Sequence, residues 1–169
     1  MNESSAKAHL QYFFDTLAPD RDYWIGKNIF YYKELENLYV SIIGKGKEVL
    51  EIGCGTGELL HSLSPSYGAG IDFSFEMVKT AKRKYPELEF KLMDAEKLEY
   101  DKKFDYIILS NLVGYVDDIW QVFRELGKIA KPGSKIVITN YNYLWQPVMA
   151  VAEKLHLKMP DKIQNWLPR

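Results

Sequence analysis

A single cysteine, Cys54, stands in a chain of 169 residues, so no internal disulfide can staple the fold. With only three scattered histidines beside it, no zinc-ligand spacing arises and no metal is expected. No apolar run approaches the roughly 18 residues that a membrane span needs. The start MNESSAKAHLQYF has neither a basic n-region nor an apolar h-region, which argues against secretion and predicts a cytoplasmic location. An excess of one charge is missing as well. Lys and Arg number 22 against 23 Asp and Glu, and the net charge of −1 removes the long-range field that draws proteins to nucleic acid or anionic lipid. The basic run Lys82-Arg83-Lys84 reads as the solvated face of a helix. What remains is a 47% hydrophobic, 27% charged composition that can bury a core and excludes disorder, collagen and coiled coil.

From Lys47 to Asn140, short β-branched or apolar runs alternate with stretches of helical period, the pattern of βαβ units closing a parallel sheet in an α/β fold. Strands are predicted over 48–53, 68–72, 89–94, 104–111 and 134–141. Ser74 is a plausible N-cap for a helix that carries Met77, Val78 and Ala81 on one face. Ile119, Val122, Phe123, Leu126 and Ile129 mark a crossover helix that Lys131-Pro132-Gly133 should stop. Residues 1–46 form an N-terminal helical segment or lid, with one apolar stripe at Leu10, Phe13, Phe14 and Leu17 and a second at Leu35, Leu38, Tyr39, Ile42 and Ile43. Ala18-Pro19-Asp20 breaks the two apart. Residues 47–141 form the core. Residues 142–169 hold one helix, with Pro147 in its first turn, and a tail.

Ligands of open α/β sheets sit beyond the carboxyl ends of the strands, where the first loop here is Glu51-Ile52-Gly53-Cys54-Gly55-Thr56-Gly57. Its alternate glycines allow a tight turn and close approach of a ligand to the backbone. In the dinucleotide fingerprint G-x-G-x-x-G the third glycine would fall at position 58, which is Glu58, and a carboxylate there opposes a pyrophosphate at the helix N-terminus. No G-x-x-x-x-G-K-[ST] cradles a triphosphate. Two acids, Glu51 and Glu58, around a glycine turn suit a cationic ligand instead. Asp72 closes the second strand, where an acid commonly accepts from ribose hydroxyls. Asp94-Ala95 closes the third and could meet the edge of an adenine ring. Together these loops describe an adenosine-bearing ligand without phosphates and with a cationic end, as in S-adenosylmethionine.

The ordered series VLEIGCGTG, GIDFSFEMV, LMDAEKL, FDYIILSNLVGYVDD and LGKIAKPGSKIVITNYN resembles the motif series of class I S-adenosylmethionine-dependent methyltransferases over residues 48–141. It is most similar to bacterial methyltransferase domains found fused ahead of a glycosyltransferase, a likeness that also takes in the flanking segments. The resemblance implies a Rossmann-like three-layer α/β/α sandwich. It further implies that Gly53 and Gly55, with Cys54 between them, line the methionine end, that Glu51 supports the loop or the amino group, and that Asp72 holds the ribose. By the same resemblance Phe73 and Met77 flank the adenine, Asp94 and Ala95 meet its edge, and Ser110, Asn111 and Leu112 face the transferred methyl.

No catalytic base stands out; His61 falls on the helix after the glycine loop. Trp24, Tyr31, Tyr32, Asn140 and Tyr143 are candidates for the acceptor side, while Arg21 and Lys27 read as solvated surface charges before they read as anion ligands. The expected activity is methyl transfer to a small-molecule or sugar-bearing acceptor, with S-adenosylhomocysteine as product and a glycosyltransferase domain as a possible partner. A non-catalytic S-adenosylmethionine-binding scaffold is the alternative, and an NAD-dependent oxidoreductase a weaker one. Family sheets have seven strands, yet no pair of strand-like runs follows Tyr141. The expectation is a chain cut to five strands without the C-terminal antiparallel hairpin, and an uncovered edge that invites homodimerisation.

Overall fold

The computed structural model describes residues 3–161, leaving aside the side chains of residues 3–6 and of Tyr143. In chain order the elements are α1 (Glu3–Leu17), α2 (Arg21–Lys27), α3 (Ile29–Ile43), β1 (Glu48–Ile52), α4 (Glu58–Ser62), β2 (Tyr67–Asp72), α5 (Phe75–Lys84), β3 (Glu89–Leu92), β4 (Phe104–Ser110), α6 (Ile119–Ile129), β5 (Ala130–Thr139) and α7 (Gln146–Lys154). The five strands make one parallel sheet in the order β3-β2-β1-β4-β5. The order reverses between β1 and β4, and the crevice over that switch point is where α/β sheets bind ligands.

Alternation along β1 and β4 builds the three layers. Leu50 and Ile52 of β1, with Ile107 and Leu109 of β4, face Val122, Leu126 and Ile129 of α6. Their neighbours Val49 and Ile108 face the opposite way, onto Tyr39 and Ile43 of α3, Leu60 of α4, and Val78 and Ala81 of α5. A parallel sheet covered on both faces needs such apolar runs on every central strand, and β1, β2 and β4 are buried over most of their length. The α/β/α sandwich implied by the motif series is the architecture found.

Several boundaries differ from expectation; β3, for one, ends at Leu92 rather than at 94. The aromatic stretch after Ala18-Pro19-Asp20 is helical: those three residues form a single 3₁₀ turn, and α2 follows at once. β5 starts four residues early, straight after α6, because a register shift absorbs Lys131-Pro132-Gly133; Ala130 pairs with Phe104 and Lys135 with Tyr106. Pro132 has no N–H to lose there, and Ser134 fills the gap by accepting from Lys131 N at 2.7 Å and donating to Phe104 O at 2.5 Å. β5 also ends at Thr139 rather than 141, releasing Tyr141 toward the crevice. Among the described residues no strand follows it, and the β5 edge leaves Ile136 and Ile138 about two-fifths exposed (40% and 41%). No described helix is long and apolar enough to cross a membrane.

Candidate functional site

The turn after β1 is built by left-handed backbone. Gly53 sits at φ +73°, and a Cβ there would stand 2.8 Å from Leu112 Cδ1, so the loop after β4 closes over it. Gly53 N and Cys54 N both donate to Ile71 O, at 2.8 and 2.9 Å, which ties the turn to β2. Gly55, at φ +53°, donates its N–H to Asp72 Oδ2 at 2.9 Å. Cys54 is buried against Gly70, and burial pushes its thiol well up, so it fills space rather than serving as a nucleophile.

Asp72 is fastened at both oxygens, the second by Ser74 N at 2.9 Å. Burial raises its carboxyl above the ordinary value against the pull of those two N–H groups. Ser74 caps α5 as expected, accepting from Met77 N at 3.2 Å. Its hydroxyl donates to Asp15 of α1 at 2.5 Å, and Asp15 also accepts from Glu76 N at 3.1 Å. Asp15 therefore locks α1 onto the N-terminus of α5. That places Phe14 edge-on between Phe73 and Tyr115, with centroids 5.8 and 5.3 Å away.

Between the glycine turn, the ends of β2 and β4, and the helical segments at both ends of the chain lies a cavity of about 410 Å³, within the usual range for a small-molecule site. Glu51, Gly53, Cys54, Gly55, Asp72, Phe73, Met77, Ser110, Asn111 and Leu112 all line it. A smaller recess of about 40 Å³ adjoins it and shares Gly53, Asp72, Phe73, Leu112 and Tyr115; Asp94 and Ala95 lie there. The Asp94 carboxylate already has partners: Lys7 of α1 at 2.6 Å and Glu96 N at 2.9 Å.

On the side of β4, Asn111 holds the left-handed φ of +54°, uncommon outside glycine, and its N–H donates to Thr139 O at 2.9 Å. Its Nδ2 donates to Tyr31 Oη at 3.1 Å, and the Tyr31 ring stacks on Tyr141 at 6.0 Å. Tyr32 also lines the cavity. Trp24 and Asn140 do not. Trp24 is half-buried, packed beside Tyr23 under the Lys27 ammonium, and Asn140 is exposed past the early end of β5. The Tyr143 side chain lies outside the described residues. His61 is exposed, stacked on Tyr85 and paired with Glu87 at 2.9 Å, away from the cavity.

The electrostatics differ from expectation at two residues. Glu58 lines the cavity, but it accepts from Thr56 and pairs with Lys84, so its charge already has partners within the fold. Arg21 is drawn inward rather than left on the surface: the residue is half-buried, with Nε buried near Gly55 and Nη1 3.2 Å from Tyr32 Oη. Lys27 stays exposed and donates to the His156 carbonyl. Glu51 is buried, its Oε2 has no hydrogen-bond partner among the described residues, and desolvation, with the nearby Glu58 charge adding to it, holds its carboxyl well above the ordinary range. Nothing in the charge pattern separated Arg21, Lys7 or Asp15 from surface residues; only the docking of α1 and α2 turns them inward.

A family model described as a methyltransferase domain matches residues 43–168. Phosphatidylethanolamine N-methyltransferase of Cereibacter sphaeroides is 34% identical over 118 residues, 65% of this chain and 58% of that protein. Demethylmenaquinone methyltransferase of Staphylococcus saprophyticus is 31% identical over 125 residues, covering 69% and 54%. The chain spans about half the length of these curated relatives. An S-adenosylmethionine-dependent methyltransferase from Mesorhizobium loti superposes with a TM-score of 0.55 at 26% identity, over 60% of this chain and 50% of that one. With three quarters of its length matched by the family model and the sheet and glycine turn in place, the chain belongs to the methyltransferase-domain family.

Proposed function

We propose that the chain binds S-adenosylmethionine in the 410 Å³ cavity and transfers its methyl group to a small-molecule acceptor. One observation carries this: at the carboxyl end of β1, an open glycine turn is flanked by the fastened Asp72 and by the buried, unpartnered Glu51 Oε2, with Lys84 drawn off to Glu58 and away from any phosphate role. That set of groups suits a ribose and an ammonium. The names of the Mesorhizobium structure and of the two curated relatives support the same reading.

When bound, the cofactor supplies a methyl on a sulfonium, a carbon already activated toward displacement. The chain aligns the acceptor and excludes water. Asp72 accepts from the ribose hydroxyls through its free lone pairs, Phe73 and Met77 offer apolar faces to the adenine, and Asp94 and Ala95 stand at its edge. Ser110, Asn111 and Leu112 face the methyl. Tyr31, held by Asn111 and stacked on Tyr141, gives the acceptor a flat wall. Burial keeps the Tyr141 phenol far above its ordinary value, so it donates a hydrogen bond and does not act as a base. Such a tyrosine wall fits a sugar ring, and a sugar-bearing intermediate delivered by a glycosyltransferase is the acceptor we favour.

Calorimetric titration with S-adenosylmethionine, followed by labelled-methyl transfer to a panel of sugar-bearing and lipid acceptors, tests both levels. Tight binding and transfer to a sugar-bearing acceptor are expected. No binding by a folded sample would sink the proposal, and binding without transfer to any acceptor would leave a non-catalytic module.

A further inference from the structure

The cavity has a second lining besides the strand-end loops. Ile25 of α2, Leu35 of α3, Met149 and Ala152 of α7, and Leu157 and Met159 beyond it border the same space. All are aliphatic, and Met149 and Ala152, one helical turn apart, share a face of α7. The polar groups of the segment after α7 are spent on fastening it across the molecule. Lys27 of α2 donates to the His156 carbonyl, Tyr115 donates to Asp161, and Lys158 pairs with Asp161 at 3.1 Å. Met159 Sδ accepts from Arg21 Nη1 at 3.5 Å, the same nitrogen that lies 3.2 Å from Tyr32 Oη. Tyr32 in turn packs edge-on to Tyr31, with centroids 5.2 Å apart, so the aliphatic lining adjoins the tyrosine wall. Glu36, which also borders the cavity, opposes an anionic group there. Leu157 is 53% exposed although it lines the cavity, which puts it at the rim. Holding an apolar wall open to water forgoes the free energy that closing it would recover, and an apolar occupant restores that loss.

We propose that this lining is an apolar compartment for the acceptor, which is amphiphilic: its polar ring lies against Tyr31 and Tyr141, and an aliphatic chain runs between α2, α3 and α7 and out past Leu157. A chain fits better than a second ring because the compartment's own side chains offer no aromatic face. Two methionines, unbranched and deformable, follow a flexible chain more closely than a rigid plane. The compartment rests on the methyl-transfer proposal and narrows it, from sugar-bearing acceptors in general to sugars carried on an aliphatic tail.

Calorimetry on the full chain saturated with S-adenosylhomocysteine reads the compartment directly. The probes are methyl, butyl, hexyl and octyl glucosides, with butanol, hexanol and octanol beside them, all below any micelle-forming concentration. Each buried methylene should tighten binding about fourfold, up to the length that reaches the rim. The alcohols keep that slope readable even if glucose is the wrong sugar. Met149→Gln makes the wall polar at nearly constant shape, and Ala152→Phe fills the space. Each should flatten the slope while S-adenosylhomocysteine affinity stays at the wild-type value, as evidence of a sound fold, and Met149→Leu should keep the slope. Wild-type binding that ignores chain length, or a slope equally steep in Met149→Gln and Ala152→Phe, would overturn the compartment and leave the cofactor proposal standing. Loss of S-adenosylhomocysteine affinity in both variants would assign the lining to the cofactor and overturn it as well. A folded wild-type sample that binds no S-adenosylhomocysteine would remove both proposals.

Discussion

Lys7 of α1 and Asp94 beyond β3 face each other at 2.6 Å, an ion pair that ties the start of the chain to the loop closing the smaller recess. Lys7 also reaches Glu96 at 2.9 Å. These side chains keep partial exposure, 34% for Lys7 and 42% for Asp94, so the pairing contributes less than about 1 kcal/mol to global stability. Its effect is local. Lys7→Met should leave the denaturation midpoint nearly unchanged but speed amide exchange through α1. Wild-type exchange there should accelerate on adding salt, and the variant's should not. Exchange that responds to salt equally in both would show that other contacts hold α1.

Asp72 has a different burden, since two backbone donors, the half-buried Gly55 N and the buried Ser74 N, depend on it. Asp72→Ala should destabilise the fold by about 2–4 kcal/mol, the cost of two unmet donors, and abolish cofactor binding. Urea denaturation and calorimetry measure the two losses. Cofactor affinity unchanged in Asp72→Ala would remove the ribose role.

Gly53 combines a left-handed φ with the close approach of Leu112. Gly53→Ala should cost about 1–2 kcal/mol from backbone strain alone, with a further loss from the methyl meeting Leu112 Cδ1. Adding Leu112→Ala relieves only the second part. In thermal melts the double variant should therefore lose less than the sum of the two single ones, and strict additivity would contradict the contact.

The Glu51 carboxyl is shifted upward by burial, the opposite direction to an ion-paired acid such as Glu48. Burial raises its folded value above the ordinary 4.5, so its contribution to stability is complete below 4.5 and is lost as pH rises through the raised value. Glu51→Gln should remove that decline, leaving a variant whose stability relative to wild type improves with rising pH. Cofactor affinity should move the other way. The ammonium favours ionised Glu51, so wild-type affinity climbs with pH through the same window with release of a proton, and in Glu51→Gln the climb disappears. Calorimetry in buffers of different ionisation enthalpy reads the proton directly.

Much of this was legible in the residues themselves. Alternating apolar runs on β1 and β4, the Ser74 cap and the stripe on α6 are local signals, because strand and helix periods and cap chemistry act over a few neighbours. The glycine turn with Asp72 was legible for the same reason: left-handed backbone and a carboxylate at a strand end leave marks in sequence. Trp24 and Tyr32 look alike along the chain. Only the packing of α2 and α3 against the sheet keeps the first out of the cavity and brings the second into it.

The sequence by itself determined the parallel sheet and the loops at the carboxyl ends of its strands, since each follows from short-range pattern and from the alternation of strand and helix in βαβ units. The tertiary structure alone decided which charges are spent and which are kept. Lys84 satisfies Glu58 across 26 residues, and Asp15 reaches Ser74 across 59. Arg21, which looks like any surface arginine, is drawn in beside Gly55 with its Nε buried and no ion pair among the described residues. Whether a charge is solvated, paired or waiting for a ligand depends on what long-range packing places within a few ångströms of it, and no local pattern carries that information.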